Sequence, residues 1–344
     1  MLKKIISALI ISVSLLACQS ASVQAQEQQV YLGGQVVGIA LYTDGLFVSD
    51  TVPVKNSEGK YVSPASEAGI RKGDYITFAN GIKLDDASNL DAVLKNSGGN
   101  KIKIKLRRNG KEIETSITPV KSEKGYMLGL WMRDSAAGLG TVTFVDAETK
   151  KAYALGHGIC DEQTGAVLEL GKGRFVECTV TGVTKGKKGQ AGELRGVFGI
   201  NAQSIGKIEG NLKTGLVGTM PEPLSERKIP ISSDIKVGEA EIYSDFDGKQ
   251  LKKYTVEITA VNPQNKEKGI VIKITDPELL EKTGGIVQGM SGSPIVQNGK
   301  LVGAITHVML NDSTRGYGIF IGNMLETAQS ARISASTACL KEAS

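Results

Sequence analysis

The chain is poor in the residues that most often bind metals or move protons. Its 344 residues include two histidines, His157 and His307, so the search for a general base that works near neutral pH is short. The four cysteines, at positions 18, 160, 178 and 339, have spacings that match no zinc motif. We therefore expect no metal and no cofactor. Cys160 and Cys178 could form a disulfide or remain free thiols.

Strong net charge and long apolar runs are also missing. The net charge is +5, and it becomes +3 without Lys3 and Lys4 (5 − 2). This excess is too small and too dispersed to indicate a nucleic-acid partner. The apolar run from Ile5 to Ala17 has 13 residues. That is shorter than the about 20 residues that a membrane-spanning helix needs.

Residues 1–25 have the pattern of a secretory signal peptide. Lys3 and Lys4 precede the apolar run, and Val23-Gln24-Ala25 supplies a cleavage site of small residues. We therefore expect export across the cytoplasmic membrane, with a polar tether at residues 26–30. Leu15-Leu16-Ala17-Cys18 resembles a lipoprotein cleavage box, so lipid anchoring at Cys18 and a peripheral or transient membrane association stay open.

The remaining chain predicts a mainly β protein with two domains. Forty-two glycines, with valine, isoleucine and threonine nearby, are typical of many short strands and turns. Residues 31–120 alternate as strands around one short helix at 88–95, capped near Ser88 or Asn89. Residues 121–332 contain further short strands, which indicates a sandwich or barrel, and residues 333–344 form a tail. Trp131, the one tryptophan, is expected in the core.

The first domain resembles a PDZ domain. The resemblance rests on Ala65-Ser66-Glu67-Ala68-Gly69-Ile70, then Gly73-Asp74-Tyr75-Ile76, and then an Asn80-Gly81 turn. It implies that Gly38, Ile39, Ala40 and Leu41 form the loop and strand that hold a peptide ligand by its C-terminus. A PDZ fold used only for packing is the alternative.

A serine in a glycine-flanked turn is the strongest sign of chemistry. Gly289-Met290-Ser291-Gly292-Ser293-Pro294 lies between two apolar, strand-like runs. Glycines on both sides permit positive φ angles, so the serine hydroxyl can project while backbone N–H groups converge near it. A nucleophilic serine with an oxyanion hole needs this geometry. A plain hairpin turn is the alternative.

The two histidines differ in their surroundings. His157 lies between Gly156 and Gly158 at the end of a strand-like run, a position that suits a ring at the edge of a cleft. His307 lies within a predicted strand, so it is half-buried or faces the cleft. His157 is therefore the better candidate for a general base.

Several motifs together resemble the SpoIVB-type sporulation serine peptidases. They are Gly156-His157-Gly158-Ile159, Asp276-Pro277-Glu278-Leu279-Leu280, Gln288 to Pro294, Thr306-His307-Val308, Asn311-Asp312 and Thr314 to Gly318. The order of leader, PDZ domain and peptidase also agrees with this family. The resemblance implies a chymotrypsin-like double β-barrel for residues 121–332.

The resemblance also assigns roles to residues. Ser291 would be the nucleophile, His157 the base and Asp276 the third catalytic residue, with the N–H groups of Gly289 and Ser291 as the oxyanion hole. For the acid, Asp161 and Asp146 stay open as alternatives, and Asp276 could instead cap a helix ahead of Pro277. The strand that contains His307 would line the substrate cleft and give His307 a role in a subsite.

The implied function is a secreted serine endopeptidase of sporulation signalling. Its family implies cleavage of a membrane-associated protease regulator, and of the enzyme itself, in the space between the forespore and mother-cell membranes, which triggers sigma-factor activation. Partners would be this protein substrate and a peptide ligand of the PDZ domain. A non-catalytic PDZ adaptor that binds a protease complex is one alternative, and a serine hydrolase that acts on another spore target is the second.

Overall fold

The computed structural model describes residues 28–199 and 201–329. The strands of the N-terminal region are β1 (Gln29–Leu32), β2 (Val36–Thr51), β3 (Val54–Lys55), β4 (Tyr61–Val62), β5 (Tyr75–Ala79), β6 (Ile82–Lys83), β7 (Ile102–Arg108), β8 (Lys111–Ile117), β9 (Val120–Ser122) and β10 (Gly125–Met127). Its helices are α1 (Pro64–Glu67) and α2 (Ala87–Ser97).

The strands of the remaining chain are β11 (Leu130–Asp146), β12 (Lys151–Ala154), β13 (Leu170–Val176), β14 (Thr179–Thr184), β15 (Gly192–Val197), β16 (Ser204–Leu212), β17 (Gly215–Thr219), β18 (Lys228–Pro230), β19 (Gly238–Ser244), β20 (Lys252–Val261), β21 (Ile270–Ile274), β22 (Val287–Gln288), β23 (Pro294–Gln297), β24 (Lys300–Met309) and β25 (Asp312–Phe320). Helix α3 spans Pro277–Thr283, and residues 321–329 are also helical.

Six antiparallel strands close into a first barrel. β2 pairs with β11 on one side and β13 on the other, and the ring is completed through β12, β17 and β16. Inward side chains such as Val142, Phe175 and Ile208 are at most 1 % exposed. Burying them removes apolar surface from water, which is the main favourable free energy for closing this barrel.

A second closed barrel follows in the order β19-β20-β21-β25-β24-β23. Its strands alternate apolar and polar residues. In β20, Tyr254, Val256 and Ile258 point inward, whereas Lys253 and Glu257 are exposed. This period of two places one face of each strand in the core. The two barrels confirm the prediction of a double β-barrel in the C-terminal domain.

The PDZ-like domain contains β5, β7 and β8, together with the second half of β2. Helix α2 covers this sheet with Leu90 and Val93. The helix begins after Asp86, whose Oδ1 accepts a hydrogen bond from the Asn89 N–H at 3.2 Å. The predicted helix is therefore confirmed, but the predicted cap at Ser88 or Asn89 is wrong because Asp86 satisfies the free N–H.

Strands β2 and β11 belong to both domains. The register of their pairing runs from Leu130 opposite Thr51 to Thr141 opposite Val36. Residues 36–43 of β2 are thus part of the first barrel, β1 pairs with β11 beside it, and β11 contributes residues 130–133 to the PDZ-like sheet. The end of the predicted tether at residues 26–30 overlaps β1. The predicted domain boundary at residue 120 does not separate the two domains, because β2 and β11 each contribute to both. A continuous hydrogen-bonded strand pair crosses between the domains.

The predicted PDZ loop is also placed differently. Gly38, Ile39, Ala40 and Leu41 lie in the middle of β2, with β11 on one edge and β13 on the other. Their backbone edges are therefore occupied, and Ile39 and Leu41 are buried. The prediction that these four residues bind a peptide is wrong in this fold, because an added strand needs a free edge.

Trp131, the two cysteines and the helices were each tested against the sequence predictions. Trp131 is 58 % exposed, so the prediction that it lies in the core is wrong. Cys160 and Cys178 are both free thiols. Within residues 28–199 and 201–329, no helix is long and apolar enough to cross a membrane. The predicted signal peptide, the possible lipid anchor at Cys18 and the tail at 333–344 lie outside the described residues.

The PDZ-like domain contains a buried ion pair that we expect to be essential for its stability. Asp74 is fully buried and accepts hydrogen bonds from the Arg108 guanidinium at 2.6 and 2.7 Å. Replacing Arg108 with Met leaves this carboxylate without its charge partner. We expect a loss of about 3 kcal/mol in the free energy of unfolding, measured by urea denaturation.

The matched control is Lys105→Met on the same strand. Its ion pair with Glu114 is exposed on both sides, so water already screens the charges and little stability should be lost. Equal effects of the two substitutions would contradict the role given to Asp74 and Arg108.

Candidate active site

The turn that presents Ser291 connects β22 to β23. Gly289 and Gly292 have φ angles of 96° and 97°, a left-handed region that glycine adopts without strain. A side-chain carbon at Gly292 would overlap the carbonyl oxygen of Thr141 on β11. The predicted glycine-flanked turn is confirmed, and it is pressed against the first barrel.

Thr141 holds this turn with two hydrogen bonds. Its backbone N–H donates to the Ser291 carbonyl at 3.0 Å, and its hydroxyl donates to the Gly289 carbonyl at 2.8 Å. Thr141 is fully buried, so both bonds are shielded from competing water. Ser291 lies in the turn that leads into β23 of the second barrel. A strand of the first barrel therefore fixes its position.

The Ser291 hydroxyl donates a hydrogen bond to the Thr306 carbonyl on β24, at 2.7 Å. The Ser291 N–H, in contrast, has no acceptor among the backbone hydrogen bonds found in the described turns and loops. An N–H in this position is free to bind an oxyanion. The prediction for the oxyanion hole thus stays compatible with the geometry of the turn.

His157 follows β12 in a strained turn. Leu155 has a φ of 68° and Gly156 a φ of 70°. A bulky residue such as leucine rarely adopts this region, and such strain persists only where surrounding structure enforces it. Here Leu155 is buried and its N–H donates to Thr141. The strained turn brings the imidazole into the same cavity as Ser291.

The carbonyl of Gly158 orients the His157 ring. It lies 3.0 Å from Nδ1, and because a carbonyl only accepts, the proton must reside on Nδ1. Nε2 is then the unprotonated nitrogen and can accept a proton. Burial lowers the pKa of His157, and the Lys268 ammonium lowers it further, while the bond to Gly158 opposes the shift. The ring is therefore neutral at neutral pH.

His307 is the nearest aromatic neighbour described for this ring, with 4.9 Å between the ring centroids. Its Nδ1 is buried without a hydrogen-bond partner in the described structure. Burial, with smaller contributions from His157 and Lys268, lowers the pKa of His307 to about 4. His307 lines the cavity as an uncharged ring, and its role in a substrate subsite stays a prediction.

The cavity that contains these residues has a volume of about 660 Å³. It lies where the two barrels meet, between β11, the His157 turn and the Ser291 turn. Half of its lining residues are aliphatic, and Lys268 is its single lysine or arginine. Within the described residues, no group of three or more histidine, cysteine, aspartate or glutamate side chains could hold a metal ion.

Asp276 does not lie in this cavity. It caps α3, where Oδ1 accepts from the Leu279 N–H at 3.0 Å and Oδ2 accepts from the Thr255 N–H at 3.3 Å. The structure thus contradicts Asp276 as the partner of His157 and supports the alternative of a helix cap. Both carboxylate oxygens already bind backbone N–H groups.

The two alternative acids are also engaged elsewhere. Asp161 accepts from Ser49 and Arg133, and Asp146 accepts from Gln28 and Thr149. In the part of the chain that the structure describes, His157 has no carboxylate partner; its oriented nitrogen binds the Gly158 carbonyl.

Comparison with known families gives two matches to this chain. A model described as SpoIVB peptidase S55 matches residues 124–325, more than half of the chain, and a model described as PDZ domain matches residues 32–118. This chain belongs to the SpoIVB peptidase S55 family. The family and the PDZ domain are the ones that the sequence motifs predict.

Curated proteins match this chain over shorter stretches. A putative zinc metalloprotease from Lactococcus lactis, LL2128, is 32 % identical over 102 residues, which are 29 % of this chain and 24 % of the relative. The zinc metalloprotease RasP from Shouchella clausii is 32 % identical over 83 residues, 24 % of this chain and 19 % of its own. The chain thus spans about a quarter or less of these relatives.

Two solved structures of proteases are also similar. An inactive mutant form of Rv3671c from M. tuberculosis H37Rv has a TM-score of 0.31 at 13 % identity, over 58 % of this chain and 82 % of the other. A thermostable serine protease, AL20, from an extremophilic microorganism has a TM-score of 0.34 at 11 % identity. The match covers 61 % of this chain and 93 % of the other. At these TM-scores the likeness carries no argument about function.

The sequence motifs do not reveal the contacts made by Thr141, by the Thr306 carbonyl or by the Gly158 carbonyl. A threonine in a strand has no pattern that marks it as a support for a turn 150 residues away. Backbone carbonyls leave no signal in the sequence at all. These contacts become visible only when both barrels are closed.

Replacing Asp276 with Asn should lower peptidase activity far less than the loss of a triad acid would, because the side-chain oxygen still caps α3. We expect kcat/KM within about tenfold of the parent, whereas loss of a true triad acid costs about 10⁴-fold. Asp276→Ala should lower the free energy of unfolding by about 1 kcal/mol through the lost cap. A thousandfold loss of kcat/KM in a fully stable Asp276→Asn protein would return this residue to the catalytic site.

The pH profile should reflect the lowered pKa of His157. The base must be neutral to accept a proton, so kcat/KM should stay high as pH falls past the usual histidine pKa of about 6.5 and decline only below it. Lys268→Met removes a positive neighbour and should move this acid limb to higher pH. Lys282→Met, on α3 outside the cavity, serves as the control and should leave the limb unchanged.

Proposed function

We propose that this protein is an exported serine endopeptidase that uses Ser291 and His157 to cleave a protein substrate. The single observation that carries the proposal is their placement in one cavity between the two barrels. The oriented His157 ring and the unengaged Ser291 N–H support it further. Membership of the S55 family agrees with this reaction class.

The reaction begins with a rotation of the Ser291 hydroxyl. In the structure it donates to Thr306. A turn about the Cα–Cβ bond would release it from this carbonyl and direct it toward His157, which lines the same cavity. Nε2 of His157 takes the proton while Oγ attacks the scissile carbonyl carbon. The oxyanion that forms would accept hydrogen bonds from the N–H groups of Ser291 and Gly289, which cost no reorganisation because the turn is already held.

The imidazolium formed in this step needs stabilisation. The Gly158 carbonyl is positioned for it, since its negative oxygen faces the Nδ1–H that carries the developing charge. His157 then returns the proton to the leaving amine, and an acyl-enzyme remains. Water attacks the ester after His157 takes one of its protons, and Ser291 is restored when that proton returns to Oγ.

The finer role follows from the family resemblance. We propose that the substrate is a membrane-associated regulator of a sigma-factor-processing protease, and that the enzyme also cleaves its own N-terminal region. Both cleavages would take place in the space between the forespore and mother-cell membranes. The predicted signal peptide at residues 1–25 supports export to that space, and an aliphatic cavity at the surface suits an extended polypeptide segment.

The decisive experiment replaces Ser291 with Ala. We expect a loss of 10⁴-fold or more in kcat/KM on an unfolded protein substrate, and loss of self-cleavage on gels. Ser293→Ala is the matched control, because this buried hydroxyl lies in the same turn and has no hydrogen-bond partner in the described structure. It should retain activity.

A phosphonate that reacts with nucleophilic serines adds an independent readout. Mass spectrometry should find the label on Ser291 in the parent and in Ser293→Ala, and none in Ser291→Ala. An Ser291→Ala protein that still cleaves itself, or a parent that never takes the label, would favour a non-catalytic PDZ adaptor.

A further inference from the structure

One edge of β11 has no strand partner over a long stretch. Residues 130–141 pair with β2 along one edge. Strand β1 continues β2 along that same edge, at residues 144–146. On the opposite edge, β12 reaches only residues 142–145. Among the described strands, none pairs with that side of residues 130–140. This free edge, residues 131–139, is called the β11 edge below.

An antiparallel strand directs the N–H and C=O of every second residue toward each side. The β11 edge therefore presents a row of backbone donors and acceptors. Several of its residues are exposed, including Trp131, Arg133, Ser135, Ala137 and Gly138. Such a row forms hydrogen bonds with any extended polypeptide that is added beside it.

The beginning of the β11 edge lies at the PDZ-like domain. Leu130 and Met132 pack on the core of that domain, and the Asp134 carboxylate accepts a hydrogen bond from the Ala87 N–H at the start of α2, at 3.1 Å. A strand with helix α2 nearby is the arrangement in which PDZ domains bind peptides. Residues 130–134 of β11 therefore occupy the place that the PDZ resemblance implies for Gly38–Leu41.

The end of the β11 edge lies at the catalytic cavity. Ala136, Ala137, Gly138 and Leu139 line the cavity that contains His157 and Ser291. The same strand holds the nucleophile turn through Thr141 two residues further on. Between Ala137–Leu139 and β15, a second cleft of about 770 Å³ leaves room for another chain segment.

We propose that the β11 edge binds the part of the substrate that follows the scissile bond, as an added antiparallel strand. β11 runs from the PDZ-like domain to the cavity, so an antiparallel partner runs from the cavity to the PDZ-like domain. Residues on the C-terminal side of the scissile bond are thus the ones that pair with β11. The inference rests on the proposed function, since it defines the substrate by its cleavage.

The geometry sets the length of the bound segment. Gly138 and Trp131 are seven residues apart, or about 24 Å at about 3.4 Å per residue. A substrate therefore needs about seven or eight residues after the scissile bond to reach α2. The β11 edge would bind the substrate through backbone hydrogen bonds, so the bound segment must be extended and contain no proline. An apolar side chain near the end of this segment would contact the exposed Trp131.

The first test varies the length of peptide substrates. A Ser291-dependent cleavage site is mapped by mass spectrometry in unfolded casein, and peptides are made with two to ten residues after that site. We expect kcat/KM to rise at least tenfold between two and eight residues and then to level off. Equal extensions before the site, the matched control, should change kcat/KM less than the extensions after it.

A second test measures binding without cleavage. Trp131 is the one tryptophan in the chain, so its fluorescence reports on the far end of the β11 edge. In Ser291→Ala, the peptide with eight downstream residues should change this fluorescence, and the peptide with two should not. Methylation of alternate peptide N–H groups should weaken binding in one register and leave it unchanged in the other.

The outcomes separate the two proposals. Cleavage by Ser291 without any dependence on downstream length, or with a gain only from upstream extension, overturns the role of the β11 edge and leaves the proposed function intact. If no peptide or protein is cleaved in a Ser291-dependent way, the proposed function fails, and the inference fails with it.

Discussion

The pairing of β2 with β11 is the constraint on which the rest of the structure depends. It closes the first barrel at one end and completes the PDZ-like sheet at the other. Midway, β2 places Thr43 to Leu46 opposite the single residue Asp134, with Gly45 at a φ of 95°. This large bulge turns the strand pair from one domain into the next without breaking it. The two domains are joined by a hydrogen-bonded ladder.

The catalytic geometry is a consequence of the same pairing. Thr141 can hold the Ser291 turn because β2 keeps β11 in place behind it. Leu155 keeps its strained backbone because its N–H bonds to the Thr141 carbonyl. One buried threonine thus connects the nucleophile and the turn before the imidazole. The Gly158 carbonyl then orients His157 through a local contact that needs no distant acid.

Much of this site could be predicted because its signals are local. Glycines beside Ser291 and His157 mark turns in which a side chain can project, and alternating residues in segments such as β20 mark half-buried strands. Asp276 was misassigned because an aspartate before proline is as good a helix cap as a catalytic acid, and the chain gives no sign of which N–H groups will approach it. The predictions for Gly38–Leu41 and Trp131 were wrong for another reason. Their surroundings depend on β11, about 100 residues from β2, and a strand partner at that separation leaves no periodic trace.

The shared strands have a consequence for how this PDZ domain can be inherited or excised. A segment cut out at residues 31–120 would lose residues 130–133 from its sheet, and it would carry the first half of β2 with both edges bare. Val37, Ile39 and Leu41 are buried in the intact protein. In the excised segment they would be exposed to solvent on a strand whose backbone edges are unpaired. Such a strand invites aggregation. We therefore expect that the domain does not fold independently when it is cut at residue 120. Gene rearrangements with a boundary at this residue would produce insoluble fragments.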